Sequence, residues 1–302
     1  MAGAADSVTL CLTVLPTKPG GAAAGGLVGT YYGGDGDPHD LLPLLARPLP
    51  PDSLQLACYG PPALDGTGNE LKVRWELRRQ PDGSLVGTVS GQVVRLRPVR
   101  PALAFTVQAF ADSVAAFPGR AGSPYGQVSL QTLVPVGASA VAQAVAANLR
   151  RQLRGDSLPD QPVPALPRLW QQQRADFVKM YRGEAAAMAQ DQVADSTHLA
   201  GAGAEMEGAS LRFTSQHSLS VMCQQGSLLS VRLLGSEYTG GVHGSYGSEV
   251  RSFDLRTGRL LSYGAIFRPE ARQQLPPLLE KTVRRTLRIG TAEPLDEQLL
   301  VK

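Results

Sequence analysis

Apolar and polar side chains alternate through residues 7–15, 27–32, 53–59, 71–78, 84–89 and 92–97, the period of a half-buried strand. Pro81-Asp82-Gly83, between the runs 75–79 and 85–89, has the residue types of a tight hairpin turn. Strands at such even spacing, with no helical period between them, predict a small antiparallel meander or partly closed barrel of about 100 residues. The alternation loosens from Phe105 to Pro124, which marks residues 106–126 as a linker, and returns cleanly over 127–134. Ser139 then precedes Val141, Val145, Leu149 and Leu153, an apolar stripe spaced four apart that predicts a helix stopped by Gly155.

A proline-rich connector, 156–167, leads to a second helix that starts near Pro167 or Arg168 and turns Trp170, Phe177, Tyr181 and Met188 inward. Its alanine-rich tail, 185–189, has helix propensity and little to bury. The stretch 196–208 reads as loop. Strands follow over 210–223, 228–235 and 248–255, with a short return over 259–261. Gln225-Gly226 makes one hairpin, and the turn 254–259 makes another with Gly258 in a left-handed position. Pro269 suits a helix start. Leu278, Leu279, Val283 and Leu287 form a buried stripe, and Pro276-Pro277 predicts a kink or break. The fold class is α+β: a small N-terminal antiparallel β-domain (1–105), the linker (106–126), and a domain (127–302) with an antiparallel sheet packed by two or three helices.

Composition narrows the function classes. At 43% hydrophobic and 18% charged residues, the chain of 302 residues is globular and not disordered. Its net charge is +3, and the arginines are scattered where a nucleic-acid binder would show a basic stripe, so no nucleic-acid partner is expected. No apolar run reaches the roughly 20 residues that span a bilayer. The N-terminus lacks the basic start and apolar core of a signal peptide. Either the chain is cytoplasmic, or a leader has been removed and replaced by an initiating Met, which would leave it periplasmic or cell-surface if the resemblance below holds. Cys11, Cys58 and Cys223 show no metal-ligand spacing. They read as buried thiols, with a Cys11–Cys58 disulfide as the alternative.

One loop is chemically loaded: Tyr238, Thr239, Gly240, Gly241, His243, Gly244 and Tyr246 lie between two strand-like runs. A triad-like set drawn from it would use His243 as base, Asp254 as orienting carboxylate, and Thr239 or Ser245 as nucleophile. Against that stands Asp254 at the head of the Thr257-Gly258 turn, where aspartate ordinarily binds turn amides. The chain has no Gly-x-Ser-x-Gly elbow and no H-E-x-x-H ligand pair, and His198 and His217 are isolated. No catalytic residue, metal ligand or cofactor is assigned. Asp254, Thr257 and Gly258 are read as a structural turn. For the loop two readings stand together. In the structural one Tyr238 packs on the sheet and His243 donates to a backbone carbonyl, locking the turn. In the recognition one the same rigid loop meets a protein or glycan.

The string Tyr238-Thr239-Gly240-Gly241-Val242-His243-Gly244, then Phe253-Asp254-Leu255-x-Thr257-Gly258-x-Leu260, then Ile266-Phe267, resembles the signature of a bacterial envelope domain. That domain is known from the C-terminal half of the RsiV-type lysozyme-sensing anti-sigma factor ectodomain, and as an accessory module beside a peptidoglycan deacetylase. The resemblance covers about 127–290, and the N-terminal third is similar to a small β-domain fused ahead of such modules. It implies further tyrosine-rich strands beyond residue 290, so the chain reads as a fragment or a C-terminally shortened form. It also implies a non-enzymatic, envelope-located binding or sensing module whose partner is a lysozyme-like protein or cell-wall glycan. A hydrolase or accessory domain acting on envelope polymers through His243 is the enzymatic alternative, and an intracellular structural protein is a third.

Overall fold

The computed structural model describes residues 8–14, 27–32, 38–43, 52–62, 69–155, 162–195, 211–240, 243–287, 289–291 and 293–295. The expected loop 196–208, most of the proline-rich connector and Gly241 lie outside the described residues. The chain forms two compact units, residues 1–259 and 260–302.

Seven strands open the first unit: β1 (Thr9–Val14), β2 (Leu27–Tyr32), β3 (Pro38–Pro43), β4 (Ser53–Pro62), β5 (Asn69–Arg79), β6 (Leu85–Val89) and β7 (Gln92–Leu96). They pair antiparallel in chain order, as a meander. Leu56, Cys58, Trp75 and Leu77 are its buried centre, and Leu10 and Leu12 of β1 pack on them together with Val94 and Leu96 of β7. Residues from the two outermost strands thus share one core. The Tyr31 ring meets Trp75 edge-on, centroids 5.3 Å apart, although β2 and β5 are three places apart in the sheet and a flat sheet would separate them by about 14 Å. The sheet is therefore curled, as the partly closed barrel requires. Cys58 lies in that core. Cys11 alternates with the inward Leu10 and Leu12 and so faces the other side of β1, which is the wrong geometry for the Cys11–Cys58 bridge.

The second sheet contains β8 (Phe105–Ala115), β9 (Tyr125–Pro135), β10 (Thr214–Gln225), β11 (Leu228–Tyr238), β12 (Ser245–Asp254) and the two-residue β13 (Arg259–Leu260), in the order β13-β12-β11-β10-β9-β8. Residues 106–126 are thus not a linker: β8, the turn 116–124 and the start of β9 form a hairpin, from Phe105↔Pro135 to Ala115↔Tyr125. Two helices, α1 (Ala140–Arg154) and α2 (Leu166–Asp195), intervene between β9 and β10. A crossover of that length permits a parallel pair, and β9 and β10 are parallel within an otherwise antiparallel sheet.

Helix α1 begins and ends where its cap residues dictate. The Ser139 side chain accepts from the Ala142 amide at 3.2 Å, and Gly155 closes the helix at φ 71°. Val145 and Leu149 press on Leu130, Leu219, Leu229, Val231 and Phe253 of the sheet. Helix α2 covers the other end with Phe177, Tyr181 and Ala185 against Val114, Val128 and Phe213. Ala185 is fully buried in this cluster, with Met188 packed against it, so the alanine-rich tail does bury one face. The Tyr181 hydroxyl donates to the Leu211 carbonyl at 2.9 Å. Gly126 lets the two rings approach, since a Cβ there would sit 2.9 Å from both Phe177 and Tyr181. Strands β1 and β2 also meet β10, where Thr30 Oγ1 donates to the Met222 carbonyl at 2.7 Å.

The second unit holds α3 (Tyr263–Ile266) and α4 (Pro269–Leu287). Arg272 lies 5.6 Å over the Tyr263 ring and donates to the Phe267 and Gly264 carbonyls. Of the expected kink or break, the break does not occur: helix α4 runs through Pro276 and Pro277, and the carbonyls deprived of amide donors belong to exposed turns that water reaches. Leu278 and Leu279 are 58% and 53% exposed, not a buried stripe. Among the described residues no helix is long and apolar enough to cross a membrane.

Candidate functional site

Strand β12 decides which of the singled-out residues can act together. It pairs with β11 from Glu237↔Ser245 to Leu228↔Asp254, so His243 lies before one end and Asp254 at the other. Its ten residues, at about 3.3 Å each, hold those two side chains on the order of 30 Å apart. The triad-like set is not assembled. Asp254 is also occupied: its carboxylate accepts from the Arg256 amide at 3.0 Å and from the Arg256 guanidinium at 2.9 Å. Those hydrogen bonds, from the Arg256 side chain first, hold the carboxyl below the usual range and push the guanidinium up.

The turn that Asp254 heads is structural. The Gly258 amide donates to the Asp254 carbonyl at 2.7 Å, and that of Thr257 at 3.1 Å. Gly258 has φ 71°, and a Cβ on it would fall 2.8 Å from the Ala144 Cβ and 3.0 Å from the Val141 carbonyl oxygen. The turn thus packs on the first turn of α1 at a distance only glycine allows.

At the other end of β12 the loop is open. Gly240 has φ 86°, and Gly244 approaches so closely that an added Cβ would lie 2.9 Å from the Glu237 carbonyl. His243 is exposed, and its Nδ1 is 3.3 Å from the carbonyl of its own neighbour, Gly244. The contact is to a backbone carbonyl, but one to the next residue cannot brace a loop, and among the described residues His243 makes no other hydrogen bond that would lock it. Among the described residues no hydrogen bond joins His243 to Thr239 or Ser245. Tyr238 is half-buried, Thr239 exposed and Tyr246 81% exposed.

Register brings to this end residues that sequence reading did not single out. Thr214 pairs with both Tyr238 and Gln127, and Gln216 pairs with Ser236, whose other partner is Tyr246. Tyr125, two residues before Gln127 on β9, is 57% exposed on the same side. Tyr125, Gln127 and Thr214, with Ser123, Arg212 and Phe213, line a cleft of about 530 Å³. The only early signal for Tyr125 was its parity with Gln127.

No protein-family model matches the chain, and no curated protein matches it. In fold the chain is similar to the crystal structure of a DUF3298 family member from Bacteroides fragilis, at 20% identity and TM-score 0.50, over 66% of this chain and 74% of that one. A DUF3298 family protein from Pseudomonas aeruginosa is more distantly similar, at 18% identity and TM-score 0.39 over 62% of this chain and 70% of that one, and carries no argument. The Bacteroides structure agrees with the α+β architecture, and at this identity the likeness extends to the fold alone.

Proposed function

We propose that this chain is a non-enzymatic, envelope-located binding or sensing module, and that the open end of its second sheet meets the ligand. One observation carries the reading: Tyr246, 81% exposed, stands on a strand whose first six residues, 245–250, are all exposed. A large aromatic side chain held in water on a well-paired strand gains nothing from the fold, while tyrosine is a preferred anchor where a partner lands. The fold likeness to a DUF3298 member is consistent with this. The motif resemblance to lysozyme-sensing and deacetylase-associated modules supplies the candidate ligands, a lysozyme-like protein or a cell-wall glycan. Hydrolysis through His243 has no geometric support, because Asp254 is at the wrong end of β12.

Calorimetric titration of the purified chain against a lysozyme panel and soluble peptidoglycan fragments tests the proposal, with Tyr238→Ala/Tyr246→Ala as the paired variant and circular dichroism as the folding control. Saturable binding without hydrolysis, weakened in the folded double variant, is the expected result. Binding to neither ligand would overturn it, as would a turnover that disappears in folded His243→Ala.

A further inference from the structure

We infer that the open face of the second sheet is a platform for an uncharged, hydroxyl-rich linear polysaccharide, with Tyr125, Tyr238 and Tyr246 as its stacking groups. This rests on the binding-module reading and names the ligand class for that site.

Strand parity separates the two faces. Val128 and Leu130 of β9, Leu219 of β10, Val231 of β11 and Phe253 of β12 are buried toward the helices. Their alternates face the other way, and the ladder aligns those alternates across the sheet: Gln127 with Thr214 and Tyr238, then Ser129 with Gln216, Ser236 and Tyr246. On β8 the matching positions are Ser113 and Ala111. On this face Gln127, Gln216, Tyr246 and Ser248 are exposed, and Thr214, Ser129, Ser236 and Tyr238 are half-buried.

Charge selects the occupant. Within 109–113, 127–131, 214–218, 234–238 and 246–248, the positions on this face are alanine, serine, threonine, glutamine, leucine and tyrosine. Within those windows the ionisable residues Asp112, His217 and Glu237 alternate onto the helix side, and the charges that β11 and β12 carry on the open face, Arg232 and Asp254, lie beyond them toward the far end of the sheet. In a chain that is 18% charged, such a face offers nothing to attract or orient an ionic partner, and a strongly basic protein would find no counter-charge there. It matches a neutral polyol. Glutamine amides and serine hydroxyls supply both donors and acceptors for sugar hydroxyls, and tyrosine rings present an apolar face with a polar tip to the C–H side of a pyranose.

Size points to a chain of sugars. Tyr238 and Tyr246 are diagonal neighbours on adjacent strands, about 7–8 Å apart. Tyr125 lies two strands from Tyr238, and the span from Tyr125 to Tyr246 is on the order of 20 Å, longer than one ring covers. The cleft of about 530 Å³ beside Tyr125 extends the platform past the strand ends, with Arg212 the cation on its wall.

The test titrates the full chain with cellohexaose, N-acetylated chitohexaose, polygalacturonate and a lysozyme. The expected result is saturable binding of at least one neutral hexasaccharide, little changed between low salt and about 0.3 M, where exposed charges are screened. Tyr125→Ala and Tyr246→Ala should each weaken it about fivefold to tenfold, with circular dichroism showing a native fold. Failure of both neutral sugars alongside lysozyme binding would overturn the platform and leave the binding-module reading standing. Preference for polygalacturonate, or neutral-sugar binding indifferent to both tyrosines, would also overturn the platform. Failure of every probe would sink both readings.

Discussion

Gly155 and Gly258 both sit at φ 71°, yet a Cβ would meet nothing within 4 Å at Gly155 and would meet Ala144 and the Val141 carbonyl at Gly258. Alanine at either site suffers the left-handed strain of about 1 kcal/mol. At Gly258 it must also displace the backbone of α1, and overpacking of that kind adds about 1–3 kcal/mol. Gly258→Ala should therefore cost about 2–4 kcal/mol and Gly155→Ala about 1 kcal/mol. The difference measures how tightly the turn after β12 is seated on the helix. Urea unfolding followed by both circular dichroism and fluorescence gives the two values, provided the transitions coincide and the slopes match wild type. Equal losses at the two glycines would refute the packing argument, since the strain they share would then explain everything.

Tyr181→Phe should lose about 1–3 kcal/mol, because the buried Leu211 carbonyl keeps no replacement for the hydroxyl. Burial raises the Tyr181 pKa above the usual value of about 10. Its contribution is complete below that pH and lost as pH rises through the higher folded value, so wild type should show an alkaline fall in Tm that the phenylalanine variant lacks. For Asp254 the sign reverses. The Arg256 contacts lower its folded pKa below the unfolded value of about 3.9, so its contribution is present above that pH and disappears as pH falls through the lower one; Asp254→Asn should flatten this part of the acid limb in a Tm series. His243→Ala should move stability by less than about 0.5 kcal/mol, as expected for an exposed residue bonded only to its neighbour; a larger loss in the same urea experiment would restore the lock.

Elements with strong local signals were legible. Ser139 and Gly155 bound α1 because their cap geometry is local, and the Gln225-Gly226 and Pro81-Gly83 turns fall between the strands they were expected to join. β8 was illegible for a reason now visible. Its outward positions Ala109, Ala111 and Ser113 are exposed small residues, so apolar and polar no longer mark inside and outside. β3 is short and bounded by Pro38 and Pro43, residues that normally argue against a strand. Ala185 was misjudged because propensity does not report which face of a helix is covered, and Leu278 and Leu279 because helical spacing identifies a stripe without saying what covers it.

The loop drew attention because its unusual residues are close in sequence, and closeness in sequence is the wrong measure on a strand. His243 and Asp254 flank one extended segment, so β12 keeps them apart. Tyr125, Tyr238 and Tyr246 come from three strands, and the first is more than a hundred positions from the others. They share an end of the sheet because β9 pairs with β10 in parallel, β10 with β11 and β11 with β12 antiparallel, and each pairing preserves the face. A one-residue slip in any of the three ladders would turn a tyrosine toward the helices and bring an apolar core residue into water. The buried set Val128, Leu219, Val231 and Phe253 opposes that slip. The hydrophobic core on one side of the sheet therefore sets which tyrosines meet on the other, and the platform is a consequence of how the core is packed.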